Sequence, residues 1–167
     1  MMTFKKPNKR LFTIAVVMLV IGFSGLGLGI YQAHSSQAEV GSNKPNFSTL
    51  LPSGKTIEQL GGWQKLTTPN SDVFYVYVDE VSGVSVNVSQ QQLPGKFKGD
   101  LTNKMTEMAR AYNASVKLNA DGTTVYVGTS AKGPQSVLFA KNEVLVLIKS
   151  WATIEDGDWI TYINSLQ

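Results

Sequence analysis

From Leu11 to Ala33 the chain runs 23 residues without a charge, and beyond Asn46 that pattern gives way to short alternations of apolar and polar positions. A helix of 23 residues is about 35 Å long, enough to cross a hydrocarbon core of about 30 Å with some tilt. The periods after Asn46 are those of strands and amphipathic helices. Thr56 to Leu60 predicts one helical turn ended by Gly61-Gly62, and Trp63 to Leu66 a short strand. Val73 to Val78 is an aromatic and β-branched run. Val84 to Gln90 alternates, with Val84, Val86 and Val88 on one side and Ser85, Asn87 and Ser89 on the other. The segment 79–83 between these runs predicts a hairpin loop carrying Asp79 and Glu80.

Leu93-Pro94-Gly95 closes that unit, and Asp100 stands where a helix N-cap accepts free backbone amides. Leu101, Met105, Met108, Ala109 and Tyr112 follow at helical spacing. Val116 and Leu118, then Val125 and Val127, predict two strands joined by a turn at Asp121-Gly122. Further strands are expected over Gln135–Ala140 and Val144–Ile148. The last is apolar on both sides, hence central and covered on both faces. A final helix begins near Asp156, with Trp159, Ile160, Ile163 and Leu166 on its apolar side. The sum is an α+β fold: an N-terminal transmembrane helix, then an antiparallel sheet of about six strands with two main packed helices. Tyr75, Tyr77 and Tyr126 are expected in the core beneath the last helix.

Charge orients this plan. Five of the 15 basic residues and one of the 12 acidic ones lie before position 46, leaving ten basic and eleven acidic residues beyond it. The globular part is nearly neutral, so the overall pI of 9.1 does not describe a nucleic-acid-binding face. Lys5, Lys6, Lys9 and Arg10 precede the apolar run, and no base follows it until Lys44. Positive charge is retained on the cytoplasmic side. The expected organisation is therefore a cytoplasmic basic tail (1–10), a transmembrane helix (11–33), a flexible spacer (34–46) and an exported α+β domain (47–167). The expected partners are the lipid bilayer and an envelope protein, peptide or glycan, with no nucleic acid and no cofactor.

The N-terminus has two other readings. A cleaved signal peptide has a site at Ser36-Gln37-Ala38, but the apolar run is longer than such peptides carry. A pilin leader fails because Leu11 precedes Phe12 where glycine is needed, and Val16 stands where pilins carry glutamate. Gly25 and Gly29 have the spacing that lets two membrane helices approach closely.

Chemistry is sparse. There is no cysteine, and the single histidine, His34, lies in the spacer. Thiolate metal sites and serine–histidine triads are thereby excluded from the folded part. Pro52-Ser53-Gly54-Lys55-Thr56 resembles the end of a P-loop, yet Thr49 stands where the first glycine belongs. Glu155, Asp156 and Asp158 favour the macrodipole at the start of the last helix. The remaining segment of interest is 128–136, where Ser130, Lys132 and Gln135 surround glycines between two strands, as in a ligand loop. No catalytic residue is assigned, although an envelope enzyme using Ser130 and Lys132, or a subunit or sensor associating through its membrane helix, is an alternative to a binding or scaffolding module.

The stretches 51–63, 86–94, 128–136 and 159–166 resemble an uncharacterised family of small bacterial proteins with one N-terminal membrane helix and an outer domain. That resemblance implies topology and brings no functional residues. The strand–helix order is also similar to PsbP-like and Mog1-like domains, which implies a binding or assembly module.

Overall fold

The computed structural model describes residues 44–67, 72–129 and 135–167. Lys5, Lys6, Lys9 and Arg10, the expected membrane span with Gly25 and Gly29, and Ser130 and Lys132 lie outside the described residues. Among the described residues no helix is long and apolar enough to cross a membrane.

The fold is α+β. Seven antiparallel strands form one sheet: β1 (Gln64–Leu66), β2 (Phe74–Val81), β3 (Val84–Gln92), β4 (Ala114–Ala120), β5 (Thr123–Thr129), β6 (Gln135–Lys141) and β7 (Val144–Ser150). Two helices pack on it, α1 (Leu101–Ala111) and α2 (Asp156–Ser165). The order across the sheet is β1-β2-β3-β7-β6-β5-β4, which places β7, with its apolar run Val144–Ile148, at the centre as expected. β1, the short strand expected over Trp63–Leu66, is three residues long and pairs with β2 from Gln64–Val76 to Leu66–Phe74, so the sheet of about six expected strands has seven.

Pairing is set by tight hairpins. Ser82-Gly83, Asp121-Gly122 and Asn142-Glu143 all have positive φ, the left-handed pair that matches the twist of the flanking strands. The first of these corrects the expected 79–83 loop. Asp79 and Glu80 belong to β2, paired with Val86 and Ser85, and only two residues make the turn. The charges disguised a strand, and partners from elsewhere in the fold make Asp79 tolerable inside it. Asp100 occupies the N-cap of α1 without capping it; its Oδ1 accepts a bond from Asn103 Nδ2 at 2.7 Å.

Strand alternation divides the apolar residues between two cores. On one face Val86, Val88, Val125, Val127, Val137, Phe139, Val146 and Ile148 pack beneath Trp159 and Ile163 of α2. This helix touches both β2 and β4, strands from opposite sides of the sheet, so the sheet curls around it. Trp159 is fully buried, and deleting a ring of that size from a core costs about 3–5 kcal/mol. On the outer face α1 lies against β4, β5 and β6, with Met105, Met108 and Phe97 over Tyr126, Leu138, Leu145 and Phe74. Tyr77 lies in the α2 core as expected. Tyr126 instead lies under α1, on the opposite face.

The segment after the spacer is locked to the end of the chain. Leu51 N–H donates to the Gln167 carbonyl at 3.0 Å, Gln167 N–H returns a 3.0 Å bond to the Leu51 carbonyl, and Ser53 N–H donates to Ser165 at 2.8 Å. Buried Gln90 of β3 completes the clasp. Its Oε1 accepts from Leu50 N–H at 2.9 Å, while its Nε2 donates to the Leu50 carbonyl at 2.6 Å.

Gly128 on β5 reports how closely α1 ends against the sheet. A Cβ there would lie 2.8 Å from the Tyr112 carbonyl oxygen and 3.0 Å from Ala114 Cα. Both neighbours are backbone and cannot step aside. Gly128→Ala is therefore expected to lose about 1–3 kcal/mol of stability in urea unfolding, the usual range for overpacking.

Candidate functional site

The ligand loop expected at 128–136 keeps one described member of its three named residues, and that member is structural. Gln135 is buried; its Oε1 accepts from Ile154 N–H at 2.7 Å and from Trp159 Nε1 at 3.1 Å. It ties the start of β6 to α2. A serine–lysine contact does occur, between different residues: Lys149 Nζ donates to Ser136 Oγ at 2.5 Å. The two are register partners on β7 and β6. Burial lowers the Lys149 pKa from its ordinary value, but Ser136 is only 5% exposed, so its hydroxyl is closed to a substrate.

Asp79 anchors a second polar group. Lys55 Nζ donates to its Oδ1 at 2.5 Å and Tyr162 Oη to its Oδ2 at 3.0 Å. Tyr77 lies beside them and donates to the Leu50 carbonyl at 3.3 Å. Lys55, from the P-loop-like segment, thus serves as the counter-ion of a buried carboxylate. An open cleft of about 450 Å³ passes this group, but the carboxylate oxygens facing it are already bonded. The cluster fastens α2 and the N-terminal segment to β2. Three acidic residues, Glu155, Asp156 and Asp158, stand at the start of α2 as expected.

A different cleft is bordered by a residue with unpaired polar atoms. About 430 Å³ in volume, it is lined by Phe47, Tyr75, Gln91, Gln92, Leu93 and Pro94, with Lys65 and Asp72 also bordering it. It lies where the β2–β3 ladder stops. The last pair is Tyr75–Gln90, whereas β3 continues through Gln91 and Gln92, paired there with Leu145 and Val144 of β7. Phe47 meets the Tyr75 ring edge-on at 5.8 Å between centroids, giving the cleft an aromatic flank. Gln91 is 2% exposed, and neither its Nε2 nor its Oε1 has a hydrogen-bond partner. Among the described residues it is the one buried side chain left in this state. A buried, unpaired polar group costs about 1–3 kcal/mol and calls for an explanation.

Sequence reasoning stopped the strand at Gln90 and did not single out Gln91. The signal is the run Gln90-Gln91-Gln92 itself. Successive strand residues face opposite sides, so only one glutamine of an adjacent pair can serve the α2 core. Gln90 does so and finds Leu50. Gln91 faces the other side and finds no partner.

No family model matches the chain, and neither a curated protein nor a solved structure matches it. The site stands on its own geometry.

Two outcomes follow for the Asp79 cluster. Asp79→Asn removes the counter-ion of Lys55 and weakens the Tyr162 bond, with an expected loss of about 1–3 kcal/mol in urea unfolding. Alkali acts on the tyrosines. Burial, above all, raises the pKa of Tyr77, Tyr112 and Tyr162 above their ordinary value, with the Asp79 charge adding to it for Tyr77 and Tyr162. The unfolded chain ionises these phenols near pH 10, so their contribution is complete below that pH and is lost as pH rises beyond it. Denaturant titrations at rising pH should show stability falling above about pH 10. Tyrosinate absorbance from these three residues should appear together with unfolding, not before it.

Proposed function

We propose that this protein is a membrane-tethered, extracytoplasmic binding module, held by the 11–33 helix with its basic tail in the cytoplasm, whose ligand occupies the cleft at Gln91. The observation that carries the binding role is a 430 Å³ cleft bordered by Gln91, a buried residue whose carboxamide has no partner. A fold that gives Gln90, Gln135 and Asp79 hydrogen-bond partners, yet leaves Gln91 unpaired, retains a cost that a bound molecule would remove.

The tether supports the same reading. Asn46 and Phe47, which border the cleft, directly follow or end the 34–46 spacer. Thirteen residues reach at most about 47 Å when fully extended. The cleft would thus work close to the outer surface of the bilayer, on a domain whose tether is clasped to its C-terminus at Leu51 and Gln167.

Fractionation and protease shaving of intact cells test the topology. The chain should sediment with membranes and lose its 47–167 domain to external protease. Replacing Lys5, Lys6, Lys9 and Arg10 together by Gln should erode that orientation, because positive charge beside the first helix sets it. Recovery of the wild-type chain in the cytosol, or a domain protected in intact cells and cut only after lysis, would refute the proposal.

A further inference from the structure

Hairpin geometry decides which backbone groups of β2 face β3 and which face the other way. In the two-residue turn at Ser82-Gly83 the flanking pair, Val81–Val84, exchanges hydrogen bonds. Along an antiparallel ladder such pairs alternate with unbonded ones. Asp79 and Tyr77 therefore bond β3, whereas the N–H and C=O of Val78 and Glu80 point to the opposite edge. The far side of β3 agrees. Ser85, the partner of Glu80, accepts from Trp151 N–H at 3.2 Å, so its carbonyl is turned toward β7 and away from β2.

β1 covers only the first part of that edge. It pairs with Phe74, Tyr75 and Val76 and goes no further. Continued backward, its line would bring Gly62 opposite Val78 and Leu60 opposite Glu80. The two glycines prevent this. Gly61 and Gly62 have left-handed φ of 84° and 82°, and Gly62 N–H bonds the Ile57 carbonyl at 2.8 Å, so the chain turns out of the sheet. The open cleft of about 450 Å³ borders the same stretch, lined by Lys55, Gln59 and Leu60 and by Val78 and Glu80. Among the described residues no group bonds the outward N–H and C=O of Val78 or Glu80. Such an edge is a template for one more strand.

The side chains along it define what that strand carries. Tyr77 and Val81 face the α2 core, so Val78 and Glu80 lie on the other face, where Val78 is 44% exposed and Glu80 is exposed too. Lys55, the cation of the cleft, is bonded to Asp79, and Glu80 forms no ion pair among the described residues. An occupant thus meets an apolar and an anionic position two residues apart. Directly opposed residues on neighbouring strands interact, so the complement is a β-branched residue opposite Val78 and a basic one opposite Glu80.

We infer that an extended peptide segment with this basic and β-branched pair adds as a strand to the free edge of β2, bonding the N–H and C=O of Val78 and Glu80. In line with β1 and antiparallel to β2, it reads Lys-Xaa-Val from N- to C-terminus. This edge is separate from the Gln91 cleft, and the inference does not depend on that site.

The probe is acetyl-Thr-Lys-Thr-Val-Thr-amide, added to the full chain in detergent micelles, with hydrogen exchange of the Val78 and Glu80 amides followed by NMR. Both amides should exchange freely without peptide and slow by about tenfold or more at saturation. Methylating the valine nitrogen removes the donor to Val78 and should weaken binding about tenfold. Methylating the middle threonine nitrogen, which faces away from β2, should change it little. A peptide with glutamate for lysine should bind about fivefold more weakly, and Glu80→Lys should reverse that preference. Val78→Pro removes one outward N–H at an edge position and should abolish binding. If that variant fails to fold, the charge reversal at Glu80 decides the matter.

Amides of Val78 and Glu80 protected without peptide at every protein concentration would overturn the inference, because the edge is then covered within the chain. Protection that grows with protein concentration alone would overturn it in favour of a second copy. Neither amide responding to the peptide, or binding indifferent to methylation of the valine nitrogen, would overturn it as well.

Discussion

The two hydrogen bonds from the Gln90 carboxamide to Leu50 join the parts of this molecule that strand pairing alone does not connect. A seven-stranded sheet has an apolar face that must be covered, and α2 covers it only if the polypeptide preceding β1 also folds inward. Leu50 sits in that core; without Gln90 its N–H would be buried without a partner and its carbonyl would keep only the 3.3 Å bond from Tyr77. With the clasp in place, Leu51 and Ser53 can bond the C-terminal residues, and Lys55 can reach Asp79. The N-terminal segment thereby becomes part of the domain.

Polar burial in this protein follows one economy. Gln90, Gln135 and Asp79 each lie inside or near an apolar cluster, and each is bonded to an element distant in sequence. Gln135 holds α2 to β6; Asp79 holds α2 to β2. These contacts determine where α2 sits beyond what its apolar side alone requires, because hydrogen bonds are directional and hydrophobic burial is not. Gln91 stands apart from this economy, and that exception is why the cleft beside it is the functional site proposed for the chain.

The strands and helices were legible because their periods are strong: the Val84–Val88 alternation, the unbroken apolar run of β7 and the helical spacing from Leu101 to Tyr112. Legibility failed where a charged or amide side chain took a role assigned by distant partners. Asp79 reads as a loop residue until Lys55 and Tyr162 are brought beside it. Gln135 reads as a ligand group until Trp159 and Ile154 claim its oxygen. Tyr126 reads like Tyr75 and Tyr77, and only its position under α1 separates it from them.

By itself the sequence determined the α+β class, the central covered strand, the turn at Asp121-Gly122 and the near-neutral charge of the domain. These follow from local periodicity and composition, which need no knowledge of what lies across the fold. Tertiary structure alone decided which glutamine of the Gln90-Gln91-Gln92 run would be clasped and which would be left unpaired. Alternation puts neighbouring side chains on opposite faces, but the partner awaiting each face is supplied by residues 40 positions away or, for Gln91, is not supplied by the described residues at all.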